Sequence, residues 1–157
     1  MNVFIACDHG GFRAKQEIIE HLQNNGISVQ DFGCDDEQIV RYPYYAAKVA
    51  KAVLEQGGRG ILLCSTGIGM SIIANKYPGI RAALVTSTYT AKMTRMHNDS
   101  NILCLGGKTT GIFELLDIVK TWLSTDFMGD RHTISLGLIE EAEKTNMTGA
   151  VWQDPEE

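Results

Sequence analysis

The sequence predicts an α/β fold: a three-layer sandwich built on a five-stranded, mainly parallel sheet. Three observations carry this. Short β-prone runs alternate with helix-spaced segments along the whole chain. The connections between them are short, so successive strands return through helices. Runs such as Ile61-Leu62-Leu63 are apolar throughout, as a strand covered on both faces requires.

The first strand is Asn2–Cys7, broken by Asp8-His9-Gly10-Gly11. Phe12, Lys15, Ile18, Ile19 and Leu22 then follow a helical spacing in which Lys15 is the one polar member, and Gly26 stops the helix after Asn24-Asn25. Ile27–Phe32 alternates and reads as the second strand, and the acidic stretch Gly33–Val40 reads as a loop. Pro43 suits the first turn of a helix whose apolar face is Ala46, Val49, Ala50, Val53 and Leu54, and Gly57-Gly58 ends it. Gly60–Cys64 is the third strand, followed by a glycine-containing turn and an apolar, helix-compatible stretch.

The fourth strand, Ile80–Val85, follows the Pro78-Gly79 turn. Ser87–His97 is helical, with Tyr89, Met93 and Met96 spaced along it, and Asn101–Leu105 is the fifth strand. Ile112, Leu115, Leu116, Val119 and Leu123 face one side of the next helix. Gly129-Asp130-Arg131-His132 reads as a turn and Ile134–Lys144 as a last helix, while the tail after Met147 has few core residues. With neither linker nor repeat, residues 1–157 read as one Rossmann-like domain. The last helix has no strand to follow, so it packs on its own chain or reaches a partner subunit.

The apolar fraction of 44% and charged fraction of 21% fit a soluble globular protein. A net charge of -5 and a pI near 5.3 give no support to general nucleic-acid binding. No apolar run approaches the roughly 20 residues of a membrane span. The N-terminus turns polar too soon for a signal peptide, which points to the cytoplasm. There, Cys7, Cys34, Cys64 and Cys104 are expected as free thiols. None forms a C-x-x-C pair, which argues against zinc or dithiol chemistry, and no metal site is expected.

Chemistry concentrates on the stretch Gly60–Lys76. Cys64 stands at the carboxyl end of a strand, where open α/β sheets place their ligands. A thiol there is a candidate nucleophile or base, because a helix N-terminus lowers its pKa. The alternative is a buried cysteine beside an ordinary strand–helix turn. Asp8-His9 would share the same edge, to bind hydroxyls or move a proton, or else to cap a helix beside a solvent-facing His. His97-Asn98-Asp99-Ser100-Asn101 is a dense polar cluster or simply a helix stop. It lies before the fifth strand, so it reaches the Cys64 edge only by an unusual return or from a second subunit. Arg131-His132 is an anion site or a solvated turn, and Lys108 alone carries almost no signal.

Seven stretches together resemble ribose-5-phosphate isomerase B and its relatives, the galactose-6-phosphate and allose-6-phosphate isomerases. They are Ala6-Cys7-Asp8-His9-Gly10-Gly11, Tyr42-Pro43-x-Tyr45-Ala46, Cys64-x-Thr66-Gly67-Ile68-Gly69-Met70-Ser71, Ala74-Asn75-Lys76, Gly79-Ile80-Arg81-Ala82-Ala83, His97-Asn98-Asp99-x-Asn101 and Gly129-x-Arg131-His132, in family order over residues 2–145. The resemblance implies aldose–ketose isomerisation of a small sugar phosphate through a cis-enediolate, without metal or organic cofactor. It implies Cys64 as the base, His97 as the ring-opening residue and Thr66 as an assistant. The backbone of Ser65, Thr66, Gly67, Ile68 and Gly69 would hold the enediolate oxygens. Asp8, His9 and Asn98 would contact the sugar, and Lys108 and Arg131 its phosphate. It also implies a homodimer or homotetramer with shared sites.

The chain departs from the family pattern in four places. Ser65 follows the cysteine where Gly is usual, and Arg41 precedes Tyr-Pro where Asp is common. Lys108 replaces an arginine, and Ser135 stands where a second phosphate arginine is expected. Arg13 and Arg41 are unusual cations that sequence alone does not place. Two other classes compete: a non-catalytic sugar-phosphate sensor or regulatory subunit on the same fold, and a nucleotide- or flavin-binding module. Cys64–Gly69 matches neither a dinucleotide fingerprint nor a P-loop, which counts against the latter.

Overall fold

The computed structural model describes residues 2–147; the tail beyond Met147 lies outside the described residues. Eleven elements follow one another: β1 (Asn2–Cys7), α1 (Phe12–Asn24), β2 (Ser28–Asp31), α2 (Tyr42–Gln56), β3 (Arg59–Cys64), α3 (Ile68–Ala74), β4 (Ala82–Leu84), α4 (Thr88–Asn98), β5 (Ile102–Gly106), α5 (Ile112–Ser124) and α6 (Arg131–Asn146). The strands form one sheet in the order β2-β1-β3-β5-β4, and every pairing is parallel. The order reverses direction between β1 and β3. That crevice is where an open α/β sheet offers its carboxyl ends to a ligand.

Alternation along the strands divides the core. Val3, Ile5, Cys7, Ile61, Leu63, Leu103 and Leu105 face one layer, which α1 and α5 complete with Ile18, Leu22, Ile118 and Trp122. Phe4, Ala6, Leu62, Cys64, Ile102 and Cys104 face the other, against Ala46, Val49 and Ala50 of α2 and Met70 of α3. Cys64 therefore points to the α2–α3 side.

Gly26 ends α1 as expected. Its φ is +73°, and the N–H groups of Gly26 and Ile27 donate to Gln23 and Leu22, the paired bonds of a Schellman cap. The polar intruder in the α1 face is also accounted for. Lys15 is fully buried, and its Nζ donates to both carboxylate oxygens of Asp31 (2.8 and 2.7 Å) and to the Cys34 carbonyl (2.7 Å). It thus ties α1 to the end of β2 and the loop that follows.

Three expectations are corrected. The edge strands are shorter than their patterns suggested, with β4 only Ala82–Leu84 and β2 only Ser28–Asp31. Each has a single neighbour strand, so pairing stops where the ladder on one side stops. Arg131 and His132 are not in a turn but open α6, which begins three residues earlier than its apolar pattern indicated. No residue of α6 is buried; Ile134 and Leu138 remain 69% and 61% exposed. The helix does pack on its own chain, where the Glu143 carboxylate accepts the Gly79 N–H at 2.9 Å.

Candidate active site

Three strand-end loops meet at the carboxyl edge, and close backbone approach lets them nest. A Cβ on Gly10, after β1, would collide with the Oγ and N of Ser65, after β3. The Ser65 hydroxyl thus occupies the notch that Gly10 leaves. Gly107 lies against the Gly10 carbonyl in the same way, and its N–H donates to Cys64 O at 2.8 Å, while Lys108 N–H donates to Ser65 O at 3.0 Å. Asp8, His9, Cys64, Ser65, Thr66, Gly67, Ile68, Gly69 and Lys108 are therefore brought to one edge.

Cys64 ends β3 with a side chain that is nearly buried, 6% exposed. Its Sγ accepts the Gly67 N–H at 3.0 Å. Gly67 has φ +79° and caps α3, a left-handed turn that folds the loop back over the sulfur. Thr66 is exposed, and its Oγ1 accepts the Ile68 N–H at 3.3 Å. The first-turn N–H groups of a helix have no partner within it, so the start of α3 presents donors beside the thiol. The other cysteines are unsuited to proton transfer. Burial pushes the Cys7 and Cys104 thiols far up and the Cys34 thiol up as well. Cys7 and Cys34 lie 3.6 Å apart, sulfur to sulfur, and no described cysteine is in a disulfide.

Asp8 is buried, and its Oδ1 accepts the Gly10 N–H at 2.8 Å, which locks the β1 loop. His9 accepts the Val40 N–H on Nδ1 at 3.4 Å. Its ring proton is thereby assigned to Nε2, which remains a donor. Asp8 and His9 line a cleft of about 520 Å³ together with Ile39, Val40, Arg41 and Tyr42. The cleft adjoins the cysteine loop, because the Tyr42 ring lies against Gly69 where a Cβ would stand 2.9 Å from it.

His97, Asn98 and Arg131 are not brought to that edge. His97 and Asn98 end α4 and precede β5, and Cys64 pairs with Gly106 at the far end of β5. The polar cluster there divides by role. Asp99 bonds Arg81 and Arg95 (3.2 and 2.8 Å), Ser100 Oγ accepts the Trp122 Nε1–H at 2.8 Å, and Asn101 bridges Arg81 and Gly79. Those three residues build the turn. His97 instead stacks on His132 with ring centroids 4.3 Å apart and planes within 10°, and the side chain of Asn98 is exposed. Arg131 is exposed at the start of α6. His132 Nε2 is buried with no hydrogen-bond partner. Desolvation, then His97 and Arg131, holds its ring below the ordinary histidine range.

The sequence profile of the Ribose/Galactose Isomerase family matches residues 3–139. The chain belongs to this family. With it, the chain is an aldose–ketose isomerase by class. Ribose-5-phosphate isomerase B of Escherichia coli is 43% identical over 133 residues, 88% of that protein and 83% of this chain. Among solved structures, ribose-5-phosphate isomerase B of Clostridium thermocellum is 49% identical and superposes with a TM-score of 0.91, covering 92% of this chain and 99% of its own. The Mycoplasma genitalium enzyme, solved with bound ribulose-5-phosphate, is 38% identical with a TM-score of 0.87, covering 91% of this chain and 96% of its own.

Sequence reading did not find the roles of Val40, Tyr42 and His132. Tyr42 lay inside a family motif without a stated role. Val40 acts through its backbone on a residue 31 positions away, for which no side-chain pattern exists. Among the described residues no group of three or more His, Cys, Asp or Glu side chains is arranged to hold a metal, and no helix is long and apolar enough to cross a membrane.

Proposed function

We propose that this family member interconverts ribose 5-phosphate and ribulose 5-phosphate, or a closely related sugar phosphate, with Cys64 as the base. The observation that carries the reading is the Cys64 thiol at the strand-order reversal, 3.0 Å from a loop N–H and beside the start of α3. The thiolate takes the proton from C2 of the open-chain aldose. Electrons move into the C1 carbonyl, and the cis-enediolate oxygens lie against the backbone N–H groups of residues 65–69. Donors set before reaction stabilise such developing charge without reorganising. The same thiol returns the proton to C1 while the proton of the C2 hydroxyl passes to O1, which gives the ketose. Thr66 assists at the hydroxyls, and Asp8 accepts from the sugar while His9 donates through Nε2.

His97 opens the sugar ring by proton transfer, Asn98 binds the sugar, and Lys108 and Arg131 hold the phosphate. Because His97, Asn98 and Arg131 stand at the opposite sheet edge, they act on the Cys64 of a partner in a homodimer or homotetramer. The relative bound to ribulose-5-phosphate supports the substrate class. Free thiols among the described residues suit a cytoplasmic enzyme.

A panel of tetrose, pentose and hexose phosphates, followed for aldose–ketose conversion, tests this. Turnover is expected for at least one pentose phosphate. Cys64→Ser should lower kcat by about 10²–10⁴-fold, the range for loss of a positioned acid–base group. No turnover of any sugar phosphate with Cys64 intact overturns the reading. Binding without turnover that Cys64→Ser leaves unchanged would favour the sensor instead.

A further inference from the structure

Four cationic side chains bear on the question of what holds the anionic end of the substrate, and they are not equivalent. Arg131 stands at the opposite sheet edge and reaches a Cys64 only from a partner subunit. Arg13 is committed, since its guanidinium is bonded to both carboxylate oxygens of Glu37 at 2.5 and 3.0 Å. Lys108 faces the same carboxylate. Arg13 first, and Lys108 more weakly, hold the Glu37 carboxyl below its usual range. Arg41 differs from all three. Its guanidinium makes no ion pair or hydrogen bond among the described residues, and it lines the 520 Å³ cleft with Asp8 and His9.

The cleft has the size of a ligand site, within the roughly 300–1,000 Å³ usual for such sites. Its wall is also connected to the chemistry. Arg41 immediately precedes Tyr42, whose ring packs on Gly69 of the cysteine loop. Arg41 is the N-cap of α2, a helix of 15 residues whose N-terminal end favours an anion. His9 adds a donor, since Val40 occupies its Nδ1 and leaves Nε2–H facing outward from that bond. Three features favouring negative charge therefore border one cleft, which Tyr42 joins to the cysteine loop.

We propose that Arg41 is a specificity-determining residue that adds a third cation, beside Lys108 and Arg131 of a partner subunit, to the binding of the substrate's phosphate at this cleft. A guanidinium takes a phosphate with two parallel bonds, which fixes the position of the ester as well as neutralising it. Asp8 on the same wall suits the other end of the ligand, because sugar hydroxyls donate to a carboxylate and a phosphate dianion does not. Arg13 takes no part, because Glu37 satisfies it. The inference rests on the proposed isomerase reading for its substrate but not for its anion.

The test uses Arg41→Ala, Arg41→Lys and, as a control, Arg13→Ala in the full-length oligomer. For the sugar phosphate turned over best, Arg41→Ala should raise KM about tenfold or more, with a smaller change in kcat, as loss of a charged hydrogen-bonding partner predicts. The inhibition constant for inorganic phosphate should rise by a similar factor. Arg41→Lys should fall between wild type and Ala, because charge remains and the fork is lost. Arg13→Ala should leave phosphate inhibition as in wild type. If the protein turns over no sugar phosphate, the isomerase reading fails, and calorimetric titration of wild type and Arg41→Ala with inorganic phosphate still decides the role of Arg41. A change of less than about threefold in Arg41→Ala, or wild-type protein that binds no phosphate, overturns the assignment. Equal weakening in Arg13→Ala also overturns it.

Discussion

At the scale of single residues, the site depends on a hydroxyl and a missing methyl. Ser65 adds a side chain next to the cysteine, where the family pattern has Gly. The structure stores that hydroxyl in the notch over Gly10. The pairing was illegible in the sequence, because Gly10 read as a break after a strand and Ser65 as a departure from a motif 55 residues away. Gly10→Ala should therefore act on the cysteine loop. Its methyl would meet both the Oγ and the N of Ser65, so the loop must shift or strain by about 1–3 kcal/mol, the usual cost of overpacking. Denaturant titration should show that loss, together with a raised KM. Removing the hydroxyl in Gly10→Ala/Ser65→Gly should recover part of both. A double variant as impaired as Gly10→Ala would show that the hydroxyl is not what the methyl meets.

Elements were more legible than residues, for a physical reason. Helix faces and buried strands impose periodicities over many positions, so β1, α1, α2 and α5 stand where their patterns put them. Short edge strands and helix starts depend on one or two hydrogen bonds, which composition does not encode. The start of α6 is the case that matters. Placing Arg131 and His132 in its first turn sets the His132 ring on His97, so that α4 and α6 are joined by a stacked pair. Desolvation and the stacked His97 ring both oppose a proton on His132. Because desolvation and then His97 lower the His132 value in the fold, the neutral ring is the one the fold accommodates. This stability is present above the ordinary histidine value of about 6.5 and is lost as pH falls through the lower folded value. Thermal unfolding followed from about pH 7.5 to 5 should show a falling Tm, and His132→Gln should flatten the fall. Parallel curves for the two proteins would contradict it.

At the scale of the whole molecule, the parallel sheet divides the proposed site between its two edges. One edge gathers Asp8, His9, the Cys64 loop and Lys108, and the other edge holds His97, Asn98 and Arg131. Chain order alone showed this division, since His97 precedes β5 and Cys64 ends β3. What it did not show is that residues 99–101 are committed to the turn while His97 and Asn98 are left over from it. Exposed Ile134 and Leu138 on α6, beside Arg131, leave apolar surface on the same element. The account therefore requires that a base from one subunit and a ring-opening residue from another meet. Cys64→Ser and His97→Ala oligomers, each nearly inactive, can be dissociated, mixed and reassembled. In a randomly mixed dimer half the molecules are hybrids, and each hybrid has one intact site and one doubly altered site. The account predicts that about a quarter of native activity returns. Activity no greater than that of the two parents, with hybrids shown to form by native mass spectrometry, would contradict it.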